Sequence, residues 1–263
     1  MRNITKRIVS LFLALMLFAL PLSMAGCGEK PEYVDYEYYE IGTTVKLRLA
    51  TSAGALGYLD TEYLDTVADE CEKLLEKLDA VLSEDNPSSQ LSSLNSEVSV
   101  LLNADKNMLS TLSAAQKLNE LTHGAYDFTL GTLNDVWNVE NGGPVPDYDD
   151  IKEAADHTGV DKIVMNSSAI TKNDKLTKLD FDGIKDGTAV QLLLEYLDST
   201  NVVYAVISVG STVGVYGNKP EFGTYKIGLP DPDQPTDIIG YVYVPSGLVS
   251  VAGDYECFFE EDG

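Results

Sequence analysis

Gly124-Ala125-Tyr126-Asp127-Phe128-Thr129-Leu130-Gly131-Thr132-Leu133, with Trp137 just beyond, is the stretch around which this 263-residue chain is organised. It gathers the chain's one tryptophan, a carboxylate, two threonines and two glycines between apolar residues. A helical apolar pattern leads into it from Lys106 to Thr122, with Leu109, Leu112, Ala115, Leu118 and Leu121 inward and Gly124 as the expected C-cap. Two readings stand side by side. The stretch is a helix-ending loop that tucks Tyr126, Phe128 and Trp137 into the core. Or it lines a ligand, its small residues exposing backbone groups beside a carboxylate and an aromatic wall.

Upstream, Val45 to Leu49 alternates with period two and reads as a strand, preceded by Ile41-Gly42-Thr43-Thr44. From Tyr63 to Leu82 apolar residues recur every three or four positions, the pattern of a core helix. A Ser/Asn-rich turn follows, from Ser83 to Asn95. Downstream, Gly142 to Pro146 is a loop and Asp147 to His157 a short helix with Asp147 as N-cap. Strands are expected over Lys162 to Met165, Leu176 to Phe181, Val202 to Val209, Val213 to Tyr216, Tyr225 to Pro230 and Ile238 to Val244. His123 and His157 are the only histidines, neither has a partner at metal-ligand spacing, and both are expected as surface or capping residues.

A second chemical constellation is Leu179-Asp180-Phe181-Asp182-Gly183-Ile184-Lys185-Asp186-Gly187-Thr188, read as a strand-to-helix junction. The N–H groups and positive end of such a helix attract an anion, typically phosphate. Three carboxylates there would repel a pyrophosphate unless a cation sat between them, which suits a Mg²⁺-dependent nucleotide site. The plain alternative is that Asp182 or Asp186 caps the helix.

Net charge is −24, which excludes nucleic acid as a partner, since a phosphate backbone requires a basic footprint. Arg2, Lys6 and Arg7 precede an apolar run from Ile8 to Leu20, the size of a signal-peptide core and short for a membrane span. Leu22-Ser23-Met24-Ala25-Gly26-Cys27 resembles a bacterial lipobox, which implies lipidation of Cys27. Residues 1–26 then form a signal peptide and 27–40 an acidic tether, leaving 41–263 as the folded domain. Cys71 and Cys257 are expected to be unpaired thiols.

The opening stretch resembles the "G-A-F-D-P-T … W" signature of the FAD:protein FMN transferases, the ApbE-like family, with Tyr126 and Phe128 in place of its Phe and Pro. Ser83 to Asn95 resembles "S-x-Y-x-x-x-S-x-L-x-x-L-N", with Asp85 at the tyrosine; Asp180 to Ala189 resembles "D-L-G-G-I-A-K-G-Y-A". Leu248 to Gly263 resembles "S-V-A-T-S-G-D-Y-E-R-F-F-E-x-D-G", with Val251 and Ala252 where the family has Thr-Ser. The family's later "H-I-I-D-P" and "A-D-A-L-S-T" segments do not occur in these residues. The resemblance implies cofactor contacts at Ile41, Asp85, Ala125, Tyr126, Asp127, Thr129, Asp180 and Asp186, and a backbone metal ligand at Gly183.

It further implies one α+β domain, a mixed, mostly antiparallel sheet packed against helices. The activity implied is Mg²⁺-dependent transfer of FMN from FAD to a threonine of another protein, a membrane-associated redox subunit or exported flavoprotein, with release of AMP. The cofactors implied are FAD and Mg²⁺, and the expected location is the outer face of a bacterial membrane, held by a lipid anchor. The alternative is a flavin-binding lipoprotein without transferase activity, favoured by Asp85, Val251 and Ala252.

Overall fold

Strand β1 (Val34–Glu40) and strand β2 (Thr43–Thr51) form a hairpin whose turn is Ile41-Gly42. Both turn residues have positive φ, 52° and 81°, as a two-residue hairpin of right-handed twist requires. That conformation is rare for a β-branched residue; Ile41 is held in it with its side chain buried in the core. The residues expected as a spacer thus include an ordered strand. Tyr36 and Tyr38 pack onto the core and the Tyr36 hydroxyl reaches Asp65 at 2.8 Å, so alternate tyrosines give this acidic stretch an apolar face. This computed structural model describes residues 33–263 apart from 52–59, 97, 218–222, 235, 254–257 and 259–263. Cys27, the signal segment and Cys257 lie outside the described residues.

Helix α1 (Thr61–Leu82) follows, capped by Asp60, whose carboxylate accepts from the Tyr63 N–H at 3.0 Å. Leu64, Val67, Ala68, Cys71, Leu75, Leu78, Val81 and Leu82 are buried along one face, as the periodicity requires. Short helix α2 (Gln90–Asn95), strand β3 (Val100–Leu102) and helix α3 (Lys106–Leu121) come next. In α3 the buried residues are Met108, Thr111, Leu112 and Ala115, while Leu121 is exposed; the inward face is rotated from the all-leucine stripe. Helix α4 (Gly131–Trp137) was not legible as a helix; helix α5 (Tyr148–Asp156) starts after Asp147, which sits at the N-cap position without a side-chain bond.

Strands β4 (Ile163–Met165) and β5 (Ala169–Lys172) join β3 in a three-stranded sheet, order β3-β5-β4. Residues 176–181, expected as a strand, join no ladder. Helix α6 (Asp182–Leu197) leads into β6 (Val202–Val209), β7 (Thr212–Gly217), β8 (Tyr225–Pro230), β9 (Ile238–Val244) and β10 (Gly247–Ser250). The main sheet has the order β1-β2-β6-β7-β10, and β8-β9 is a separate ribbon tied on by Tyr225, whose ring stacks on Tyr204 at 5.5 Å. Every described ladder is antiparallel, so the expected α+β architecture appears as three antiparallel sheets.

Helix α1 packs on β1 and β2, α6 packs on β6, β7 and β10, and the two helices touch. Leu47, Leu49, Ala205, Ile207 and Val209 of the sheet meet Leu75, Leu78, Leu193 and Leu197 of the helices, all buried. Each such side chain contributes roughly 1.5–3 kcal/mol by leaving water. This layer fixes α6, and the N-terminal end of α6 is where the two chemical constellations meet.

Candidate active site

Helix α3 ends by winding into the left-handed region at His123 (φ 53°) and Gly124 (φ 84°), with the Gly124 N–H bonded to Asn119 O at 2.9 Å and the His123 N–H to Glu120 O at 3.2 Å. This is the paired bonding of a Schellman end, and His123 takes its left-handed C′ position, one residue before the glycine expected there. Asn119 then reaches forward, its Nδ2 donating to Tyr126 O at 2.6 Å, while the Tyr126 N–H bonds Thr122 Oγ1 at 3.0 Å. Asp127 closes the next turn: its Oδ1 accepts from the Thr129 N–H at 2.8 Å and the Thr129 hydroxyl at 2.6 Å. Thr129 also accepts the Gly159 N–H at 2.7 Å and is fully buried. Thr129 therefore shapes the loop and presents nothing to a ligand, a correction to its expected cofactor contact. Phe128 is fully buried, so the core reading holds for it, while Tyr126 is half-buried and Ala125 is exposed.

The second constellation is not a strand-to-helix junction. Residues 175–180 run as irregular backbone held by bonds from elsewhere. Buried Lys172 donates to Lys175 O at 3.0 Å and Thr177 O at 2.7 Å. Thr132 Oγ1 donates to Leu176 O at 2.7 Å, and the Gly131 N–H bonds Lys178 O at 3.2 Å. Asn95 grips Leu179 from both sides, accepting its N–H at 2.8 Å and donating to its carbonyl at 2.7 Å. The Asp180 N–H bonds Phe128 O at 2.9 Å. Gly131 is required by this approach, because a β-carbon there would lie 2.8 Å from the Lys178 side chain and 3.1 Å from its backbone.

The two constellations, more than fifty residues apart in sequence, are thus in direct contact. Asp180 Oδ1 accepts the Asp182 N–H at 2.8 Å, an Asx turn that satisfies the first N–H of α6, while Phe181 stands at the N-cap where Asp182 or Asp186 was expected. Asn134 of α4 donates to the other Asp180 oxygen. Burial, with Asp182 alongside, raises the Asp180 carboxyl above the usual range. Gly183, the second residue of α6, lies under the Tyr126 ring; a β-carbon there would come within 2.9 Å of Cε2. One turn along the helix, Asp186 faces the β6–β7 turn, where a Gly210 β-carbon would overlap its carboxylate, with Thr43 beside it.

A cavity of about 620 Å³ runs along α6 from Asp182 to Glu195, walled also by Ser211, Val251 and Ala252. A smaller crevice of about 230 Å³ holds Glu84, Asn95, Asp135 and Lys178. Glu84 is exposed overall, yet loss of water around its carboxyl, with the nearby Asp180 and Asp182, pushes that group up to about 8. Lys185 pairs with Asp182 at 2.7 Å. Asp85 is exposed next to Glu84. Ile41, expected to touch a cofactor, is buried at the hairpin turn. Sequence reasoning did not single out Glu84 or Asn134 as site residues. Asn95 was visible in a motif, whereas nothing in the sequence marks Asn134.

Two features fit a bound phosphate-bearing ligand. The Tyr126 hydroxyl is buried and has no hydrogen-bond partner among the described residues. Gly183 supplies a close-approach backbone at a helix N-terminus. Among the described residues, no group of three His, Cys, Asp or Glu side chains is placed to hold a metal ion.

The chain is 25% identical over 257 residues to the FAD:protein FMN transferase of Vibrio cholerae, covering 95% of this chain and 74% of that protein. It is 24% identical to the protein of the same name from Haemophilus influenzae, covering 98% and 75%. Among solved structures, the ApbE protein of Thermotoga maritima superposes with a TM-score of 0.71 at 26% identity, over 88% of this chain and 74% of that one. The flavin transferase ApbE of Vibrio cholerae gives a TM-score of 0.71 at 23% identity, over 85% and 72%, a likeness of fold. With the ApbE family model matching residues 41–263, this chain belongs to the ApbE family.

Proposed function

We propose that this protein is an FAD:protein FMN transferase. The observation that carries the reading is the contact between the two constellations, Asp180 N–H to Phe128 O at 2.9 Å and the Tyr126 ring over Gly183, beside a cavity of about 620 Å³. Relatives that share this name cover nearly the whole chain. In the proposed reaction a threonine hydroxyl of the acceptor attacks the FMN phosphorus of FAD. A phosphoester bond forms as the pyrophosphate bond breaks, AMP leaves and the hydroxyl proton passes to solvent or to the AMP phosphate; a Mg²⁺ ion, where bound, would offset charge on the phosphates.

The chain's own part is binding and orientation. Asp127, whose Oδ1 closes the turn, is proposed to contact the ligand, as the family resemblance implies. Asp180, fixed by Asn134 and the Asp182 amide, holds the mouth of α6 in one geometry. Mg²⁺ takes oxygen ligands and keeps waters and substrate phosphates in its shell. The Gly183 carbonyl is the protein oxygen proposed for it, as the family resemblance implies. Asp186, on the cavity wall, is proposed to contact the nucleotide.

We further propose that the protein works on the outer face of a bacterial membrane, tethered through lipid on Cys27, and that its acceptor is a membrane-associated redox subunit or an exported flavoprotein. The lipobox-like Leu22 to Cys27 and the preceding apolar run support this.

Incubating the protein with FAD, Mg²⁺ and a flavin-acceptor domain should yield a fluorescent acceptor band on a denaturing gel. The exposed Asp85 and the apolar cavity wall at Val251 and Ala252 favour a second reading, a flavin binder without transfer. FAD binding with no fluorescent band would establish that reading instead. Asp127→Ala should abolish FAD binding, read by flavin fluorescence quenching.

A further inference from the structure

The Tyr126 hydroxyl has no explanation in the free protein. Its oxygen is shielded from water and bonds to nothing among the described residues. Such a group costs free energy in the folded state unless something outside the chain satisfies it. The charged neighbours are Asp180, Asp127 and Asp182, and a phenol is protonated at neutral pH. As carboxylates they only accept hydrogen bonds, yet none of them receives this proton. Tyr126 is therefore a neutral donor among acceptors, held in place through its backbone by Asn119 and Thr122. Its ring lies on Gly183, at the end of a helix whose dipole favours an anion. The motif that this chain resembles carries phenylalanine at the same place, so the hydroxyl is an addition that packing does not require.

We propose that the Tyr126 hydroxyl donates its hydrogen bond to a phosphate oxygen of the bound dinucleotide, adding a contact that the phenylalanine of the motif cannot make. The inference rests on the reading of the site as an FAD site. The donor offsets part of the repulsion that Asp127, Asp180 and Asp182 exert on a phosphate, and its partner arrives only with the ligand.

The test compares the wild-type protein with Tyr126→Phe, a change that keeps the ring on Gly183. Binding is measured with Mg²⁺ for three probes: FAD, ADP, which carries the pyrophosphate without the flavin, and riboflavin, which carries the flavin without phosphate. The expected result is an affinity about tenfold lower in the variant for FAD and for ADP, as for a hydrogen bond to a charged acceptor, with riboflavin unchanged. Without ligand the variant should melt about 2 °C higher, because an unsatisfied buried hydroxyl has gone. Equal FAD and ADP affinities in the two proteins overturn the inference and leave the proposed function standing. So does a riboflavin affinity that falls as much as that of ADP, which would place the hydroxyl against the ring. A lower melting temperature of the unliganded variant also overturns it, since the hydroxyl would then already have a partner, such as an enclosed water. If the wild-type protein binds none of the three probes, the proposed function and the inference fail together.

Discussion

Helix α1 and the segment 175–180 are both well fixed, by opposite means. The helix is held by eight buried residues on one face, each making generic apolar contacts. The segment has no ladder and no helix; named donors and acceptors hold it one carbonyl and one amide at a time, from Asn95, Gly131, Thr132, Lys172 and Phe128. Burial tolerates substitution by anything apolar of similar size. Polar pins do not, because each removal strands a partly buried backbone group. The protein uses the first device for its scaffold and the second for the loop that delivers Asp180 to the site.

Four changes break or sharpen that contrast. Leu75→Ala, in the scaffold, should cost about 3 kcal/mol of stability by opening a cavity, read by denaturant unfolding, while the folded fraction keeps its FAD affinity. Asn95→Ala should cost less, about 2 kcal/mol for two stranded groups on Leu179, yet weaken FAD binding measurably, because Asp180 is the next residue. If Asn95→Ala left binding untouched, the pins would be structural only. Gly183→Ala should cost about 1 kcal/mol through overpacking against Tyr126, and Gly183→Ala with Tyr126→Leu should recover part of it. The smallest effect is a slope. The Glu84 carboxyl is raised from its ordinary 4.5 to about 8, so the folded state binds the extra proton between those values. Stability should therefore fall as pH rises from about 5 to 8, and Glu84→Gln should flatten that part of a melting-temperature profile.

Much of the scaffold was legible. The three-and-four spacing of α1 and the alternation of β2 and β9 specify their own conformations, because a period either matches a buried face or does not. Residues 176–181 misled for the same reason: Leu176, Leu179 and Phe181 look like a strand, but their backbone partners are side chains from Asn95, Thr132 and Lys172, which no local pattern reveals. β1 was missed because its alternation is one of tyrosine with acidic residues, which composition reads as polar. At the candidate site, Asp127, Asp180 and Gly183 were named through motif resemblance, while Glu84 and Asn134 were not, since their placement depends on distances alone.

The sequence by itself determined the long helices α1, α3 and α6, several of the strands and the family to which the two glycine-bearing stretches point, because periodicity and short motifs are local properties of a chain. Only the tertiary structure decided that Asp180 meets the first N–H of α6, that Thr129 is sealed inside its loop, and that Tyr126 lies on Gly183 with an unmatched hydroxyl. Those facts are relations between residues tens of positions apart, and they exist only once burial of the scaffold has brought the two stretches together.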